Sequence, residues 1–415
     1  METIQTPVPF ARPFIGKEEE EAVLRVLRSG WLTTGPEALA FEEEFAQVLR
    51  GEFNSIDSPA IFCMAVNSAT SGLHLALEAC GVKAGDVVLL PSYTFAATAE
   101  VVRYLGAEPV FVDSLPGGFN IDPLALENTI KQLFDGTGPY SGKAITGKPK
   151  AIIPVHFGGL PCDMRPIMDI AHRYELKVIE DAAHSFPSIV GNGEQSFNFA
   201  GTIADAGVFS FYATKTLTTG EGGMIACKDQ QMAKRIAVMR SHGIDRNVWD
   251  RYTNAKASWR YQVTDAGYKY NMPDLLAALG RVQLGRAFDL LSMRAEIAAR
   301  YNSAFSNDSH FIIPPDGPGN AWHLYPLRLN PASLRISRDE FIASLQDEGI
   351  GVSVHFIPLH TMPYYRQRYQ IEENALPHAM TAFSQEISLP IWPGMTDAQI
   401  DRVIDVVYNN IRNLC

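Results

Sequence analysis

Two residues in this chain have the types and setting for covalent chemistry. Asp181 closes the apolar run KVIED, and Lys215 lies in SFYATKTLTTGEGG, just beyond the run GVFSFY. Runs of that composition read as buried strands, and open parallel sheets bind ligands at the carboxyl ends of their strands. A lysine there, among small and hydroxyl residues, can form an imine with a carbonyl. An aspartate on a neighbouring strand can keep a pyridine nitrogen protonated. That pairing suits pyridoxal 5'-phosphate, which needs a lysine to hold it and an acid to keep its ring an electron sink. The spacing alone leaves a second reading open, in which both are ordinary polar residues at loop starts.

Two neighbouring stretches add to the first reading. NSATSGLHLAL places Ser68, Thr70 and Ser71 where a strand gives way to a helix. Free backbone N–H groups and the helix dipole favour a phosphate there, although a hydroxyl at that point is also a common helix cap. PSYTFAAT sets Phe95 just past the next strand end, where an aromatic ring could stack on a flat cofactor or simply join the core. GEGG at 220–223 sits between two strands rather than opening a helix, so it is a turn and not a dinucleotide fingerprint. No GxGxxG lies between a strand and a helix and no Walker pattern occurs, which sets aside a nicotinamide-dependent oxidoreductase.

The elements that must position these residues follow an α/β alternation. A helix over 17–29 opens with Glu18–Glu21, read as a solvated start, and stops at Gly30. From residue 60 onward, apolar strands alternate with amphipathic helices, the pattern of a mostly parallel sheet covered on both faces. The Gly/Pro/Lys-rich stretch 135–150 reads as a surface loop, and 242–270 as irregular. One long helix is expected from Asp274 through Tyr301, with Leu284, Phe288, Leu291 and Ala295 on its apolar stripe. Beyond it come a strand in HLYPLRLN, a helix over 338–346, a strand in GVSVHFIP and a last helix from Thr396, which together make a second, smaller α+β domain.

Composition limits the remaining choices. The chain has 415 residues, 46% hydrophobic and 20% charged, with a formal net charge of −11. Such a chain is globular, long enough for two or three lobes, and poorly suited to nucleic acid or an anionic membrane surface. Cys63, Cys80, Cys162, Cys227 and Cys415 form no CxxC pair, so neither a disulfide framework nor a zinc site is expected. Cys63, Cys80 and Cys227 lie in apolar runs and read as buried small hydrophobes. The sequence begins without a basic-then-apolar leader and carries no apolar run of the ~20 residues a membrane span needs, so a cytoplasmic setting is expected.

In combination, NSATSGLHLAL, PSYTFAATA, PVHFGGLPCDM, VIEDAAHS, SFYATKTLTTGEGG, RSHG, GYKYNMPDLLAALGRVQL and FIPLH resemble the DegT/DnrJ/EryC1/StrS sugar aminotransferases. The likeness runs over nearly the whole chain, from SGWLTTGPE to LPIWPGMT. It implies the PLP-dependent transferase fold type I, aspartate aminotransferase-like. A large cofactor domain with an N-terminal helical segment would cover 1–285, and a small α+β domain 286–415.

The resemblance also assigns residues. Lys215 matches the lysine that bonds the cofactor and carries the proton, and Asp181 the partner of the pyridine nitrogen. His184 matches a position beside the ring's phenolic oxygen. Ser210, Thr70, Ser71 and the backbone around Ala69 match the phosphate cup, and Phe95 the stacking aromatic. Asn271 matches a residue that reaches the phosphate from the other subunit, which implies a homodimer with shared active sites. His323 and His360 are candidates for reaching the acceptor from the small domain, or for purely structural work. No metal is implied.

A sibling branch with histidine at the lysine position performs a dehydration, so Lys215 favours transamination. The implied reaction is ping-pong. An amino acid, L-glutamate by family analogy, leaves pyridoxamine 5'-phosphate, which aminates a nucleotide-linked keto sugar. Relatives mostly use 4-keto-6-deoxy sugars, with 3-keto sugars and keto-cyclitols as alternatives. SGWLTTGPE and the segment 242–270 are expected to line the sugar-nucleotide site. The reading from another class is a non-catalytic regulator of the same fold. It is disfavoured because the chain shows no basic patch or effector segment.

Overall fold

The computed structural model describes residues 6–51, 60–143, 145, 147–191, 197–245, 260–334 and 336–414. The apolar runs form a seven-stranded sheet. Its strands are β1 (Phe62–Val66), β2 (Val87–Pro91), β3 (Glu108–Val112), β4 (Pro149–Ile152), β5 (Lys177–Asp181), β8 (Ala206–Ser210) and β9 (Gly223–Cys227). Between β5 and β8 the chain makes a short hairpin of β6 (Ile189–Gly191) and β7 (Phe197–Phe199). The sheet order is β1-β9-β8-β5-β4-β2-β3, with β9 antiparallel to both neighbours and every other pair parallel. Helices cover both faces, which explains why the strands are apolar throughout rather than alternating.

The long helix expected from 274 is two helices, Asp274–Gly285 and Ala287–Phe305, meeting at Arg286 with φ −113° and ψ 3°. The turned-out Arg286 donates to Glu19 at 2.9 Å and lies over the Phe14 ring. The break rotates the second helix, so the expected stripe is not its buried face. Phe288 is exposed, and Leu290, Arg294, Ile297, Ala298, Tyr301 and Phe305 point inward instead. Within the acidic run at the chain's first helix, Glu18 and Glu20 are exposed as expected, but Glu19 is fully buried. Its carboxylate accepts bonds from Gly16 N and Gln283 Nε2, tying that helix to Asp274–Gly285.

A second sheet, β10 (Phe311–Ile312), β11 (Tyr325–Leu329) and β12 (Glu386–Leu389), packs with the Ala287–Phe305 helix and the helices Arg338–Asp347 and Asp397–Leu414 around a separate core. GVSVHFIP, expected as a strand, is irregular and keeps only a bridge between Ser353 and Ser388. The segment that follows leaves this unit. Leu359, Tyr365, Tyr369, Ile371, Leu376 and Ala379 belong to the apolar core of the large sheet. Glu108 at the start of β3 holds the segment there, accepting from Arg368 at 2.6 and 3.1 Å and from the Tyr369 hydroxyl, while also pairing with Arg103 at 2.7 Å. Asp113 caps the helix Pro377–Gln385 by accepting from His378 N and Ala379 N. The stretch 286–415, expected as one small domain, therefore sends residues 359–382 back onto the large sheet.

Cys63, Cys80, Cys162 and Cys227 are buried free thiols, and Cys415 lies outside the described residues. No helix among the described residues is long and apolar enough to cross a membrane.

Candidate active site

A cavity of about 430 Å³ opens at the carboxyl ends of β5 and β8, roofed by residues that flank the second sheet. Asp181 and Lys215 both line it. Lys215 sits on a turn closed by its own N–H donating to Tyr212 O at 2.9 Å. Its Nζ lies 3.3 Å from His323 Nε2. Burial brings this amine from its ordinary value down to about 7, against the pull of Asp181 and with the push of Arg294. Asp181 accepts from Thr98 Oγ1 at 2.9 Å and from Ala183 N at 3.2 Å. Burial raises its pKa, while those bonds and the nearby lysine oppose the rise.

Three histidines surround the lysine. Gly158 N donates to His184 Nδ1 at 3.2 Å, so that nitrogen is an acceptor and the ring proton sits on Nε2. Burial, then Lys215, hold His184 well below the usual histidine range, which keeps it neutral. His323 is held low by the same causes, and its Nδ1 is buried without a hydrogen-bond partner. The two rings lie 4.4 Å apart. His355 completes the group, with Nδ1 at 2.8 Å from Ser388 Oγ and its backbone N–H on Glu386 at 2.9 Å. Burial and Lys215 push it down to about 4.

The far end of the cavity is built from backbone and hydroxyls. Ser68 caps the helix Ala69–Ala79, its Oγ accepting from Ser71 N at 3.1 Å. The first helical bond runs from Gly72 N to Ser68 O, so the N–H groups of Ala69 and Thr70 precede the ladder and face outward from its end. Gly223 is required beside them, because a Cβ there would stand 2.7 Å from Ala69 N. Ser210 also lines this end, its Oγ accepting from Tyr212 N at 3.3 Å.

Not every residue singled out in the sequence converges here. Ala69, Thr70, Phe95, Asp181, His184, Ser210, Lys215 and His323 line the cavity. Phe95 is 59% exposed, with its ring 5.9 Å from Phe356. Ser71 turns inward, its hydroxyl donating to Asn67 at 2.7 Å, so it serves the helix cap rather than the cavity. His360 is fully buried away from the cavity, its nitrogens engaged by Ser92 Oγ at 2.7 Å and Glu373 O at 2.9 Å. Asn271 lies outside the lining and donates to Thr34 Oγ1 at 2.5 Å. Of the segment 242–270, residues 246–259 lie outside the described residues. Sequence reasoning missed His355. VSVHFIPLH offers two histidines, and the one that faces the cavity precedes the one taken as a candidate.

A neutral-leaning lysine opposite a buried aspartate, with an open helix end for a phosphate, defines a lysine-dependent enzyme of the pyridoxal-phosphate fold type I. The family model for the DegT/DnrJ/EryC1/StrS aminotransferase family matches residues 13–408. The spore coat polysaccharide biosynthesis protein SpsC of Bacillus subtilis is 41% identical over 408 residues, covering 98% of this chain and 97% of that protein. A putative sugar aminotransferase, Spr1654 of Streptococcus pneumoniae, solved in PLP and PMP forms, superposes in its PLP form with a TM-score of 0.84 and 29% identity, covering 99% and 100% of the two chains. PseC of Helicobacter pylori, an aminotransferase of pseudoaminic acid biosynthesis, gives a TM-score of 0.84 at 26% identity over 98% and 100%. The chain belongs to the DegT/DnrJ/EryC1/StrS aminotransferases, the family its motifs resemble, and its cofactor is pyridoxal 5'-phosphate.

Proposed function

We propose that this sugar aminotransferase moves an amino group from L-glutamate to a nucleotide-linked keto sugar, a 4-keto-6-deoxy sugar first among the candidates, with Lys215 as its catalytic residue. The observation that carries the reading is the convergence of Lys215 and Asp181 on one cavity. The sugar side is supported by the relatives named for polysaccharide and pseudoaminic acid biosynthesis.

The donor set fits the cofactor. Asp181 keeps oxygen lone pairs beyond the bonds from Thr98 and Ala183, enough to face a protonated ring nitrogen. The N–H groups of Ala69 and Thr70, with the Thr70 and Ser210 hydroxyls, offer donors to a phosphate without any cationic side chain. His184 would present its Nε2–H to a phenolic oxygen, and Phe95 would offer its ring. The bound cofactor supplies the electron sink and carries the amino group between the two substrates.

The chain's own residues do the rest. Lys215, whose Nζ burial brings down to about 7 so that half of it is neutral at that pH, takes a proton from the donor's α-carbon and returns one to the carbon beyond the adjoining nitrogen. Asp181 would hold the positive ring nitrogen of the bound cofactor, whose electron sink would make this proton acidic. His323 and His355, neutral and on the small-domain side, contact the acceptor. Asn271 serves the partner's site in a homodimer, and the small domain within 286–415 is the unit around the second sheet, without residues 359–382, which pack on the large one. The buried free thiols suit a reducing cytoplasm.

The test is the visible absorbance of the purified protein together with product mass. The wild type absorbs in the visible, bleaches with L-glutamate, and converts a nucleotide 4-keto sugar to the amine. Lys215→Ala loses the bleaching and the conversion. A visible band that survives in Lys215→Ala and still bleaches overturns the lysine assignment. Amination of 3-keto sugars or keto-cyclitols alone overturns the acceptor.

A further inference from the structure

Arg294 sits mid-helix in Ala287–Phe305 and is 2% exposed. No acidic side chain among the described residues pairs with it, and its Nε has no hydrogen-bond partner. Instead Nη1 donates to the carbonyls of Ile391 at 2.8 Å, His323 at 3.2 Å and Trp322 at 3.4 Å, and Nη2 donates to Thr214 O at 3.3 Å. A buried charge without a counter-ion is costly, and an apolar side chain would fill the same space without that cost. The guanidinium stands where the turn carrying Lys215 meets the segment carrying His323. Those two side chains touch at 3.3 Å.

We propose that Arg294 is a positioning residue for the amine of Lys215. Its fork fastens Thr214 O to His323 O, holding lysine and histidine in contact, and its positive charge biases Nζ toward the neutral state. The fork geometry matters because one planar group must serve carbonyls from three chain segments at once, which a lysine ammonium cannot reproduce.

Other groups facing Lys215 do not supply the same effect. Asp181, at the end of β5, favours the charged amine. His184, His323 and His355 are held neutral by burial and so lend no fixed positive charge. Glu221, on the turn before β9, also lines the cavity, and a carboxylate there would favour the charged amine as well. Arg294 is the cation that remains among these neighbours. Burial pushes it down only to about 9, so it stays charged at neutral pH.

This inference rests on the reading of Lys215 as the cofactor lysine, and the experiment separates the two. Visible absorbance of the holoenzyme is titrated from pH 5 to 10 in wild type, Arg294→Met and Arg294→Lys, with kcat and KM measured alongside. Arg294→Met raises the midpoint of the spectral change by about one pH unit, since a nearby like charge no longer disfavours protonation. Arg294→Lys keeps the midpoint within a few tenths of a unit but loses about tenfold in kcat with little change in KM. A folded Arg294→Met with an unmoved midpoint overturns the proposal, as does an equal shift in Arg294→Lys. If Arg294→Met fails to fold, Arg294→Lys decides. Wild-type kcat and unchanged amide exchange at 214–216 and 322–324 in that variant overturn the proposal. Failure of the Lys215 reading would show separately, as a visible band in Lys215→Ala that still bleaches with L-glutamate.

Discussion

The two ends of the cavity are built in opposite ways. The end we assign to the phosphate comes mostly from one short stretch, with Ser68, Ala69 and Thr70 shaped by a cap and the first turn of a single helix. The lysine end draws Lys215, Asp181, His323, His355 and Arg294 from five separate stretches, and its geometry exists only when the segments around both sheets are in place. The first is a local structure that a hexapeptide pattern can announce. The second is a tertiary structure whose charge balance is set by burial. Damage at the first should therefore weaken cofactor retention, and damage at the second should change proton chemistry.

The comparison can be broken most severely at the lysine. Lys215→Ala is expected to lose about 10³–10⁴-fold or more in kcat with cofactor phosphate still bound, checked by turnover and by phosphorus content of the dialysed protein. Asp181→Asn should lose about 10²–10³-fold, and it should also move the pH dependence. Because Asp181 raises the lysine's pKa, its removal lowers the midpoint of the rising limb, opposite in sign to Arg294→Met. In the wild type that limb follows directly. A lysine whose pKa is depressed to about 7 is protonated below that value, so the first half-reaction should rise through pH 7 and flatten above it, as read by rapid mixing with L-glutamate.

Effects at the phosphate end are smaller and of another kind. Gly223→Ala places a Cβ 2.7 Å from Ala69 N and is expected to weaken cofactor binding about tenfold while leaving the pH profile unmoved. Ser68→Ala removes a cap worth about 1 kcal/mol and should raise the cofactor dissociation constant by less than tenfold, measured by fluorescence titration of the apoprotein. A pH shift in either variant would erase the distinction between the two ends.

Legibility in the sequence follows the same division. The sheet was readable because its strands are contiguous apolar runs, and Lys215, Asp181 and the Ser68–Thr70 turn were readable because strand ends are where such sheets bind ligands. Arg294 was not, since an arginine within an amphipathic helix reads as solvent-facing until the helix break at Arg286 sets its rotation. That same break turned Phe288 outward from the stripe assigned to it. Of the two roles open to His360, acceptor contact or structural work, the structure gives it the second, and His355 escaped notice because nothing local distinguishes the two. Only Ser92 and Glu373, both distant in sequence, consume the nitrogens of His360.

The return of residues 359–382 to the large sheet has a consequence for biosynthesis. Phe111 on β3 packs edge-on against Tyr365, and the carboxylate of Glu108 waits for Arg368, so the last third of the polypeptide finishes what the first third begins. On the ribosome, a nascent chain that has already exposed β3 must wait for roughly 250 further residues before that edge is sealed. At about 5–20 residues per second the wait lasts on the order of 10–50 seconds, long enough for chaperone capture or aggregation to compete with folding. The outer edge of this sheet is the part of the molecule most dependent on the pace of translation.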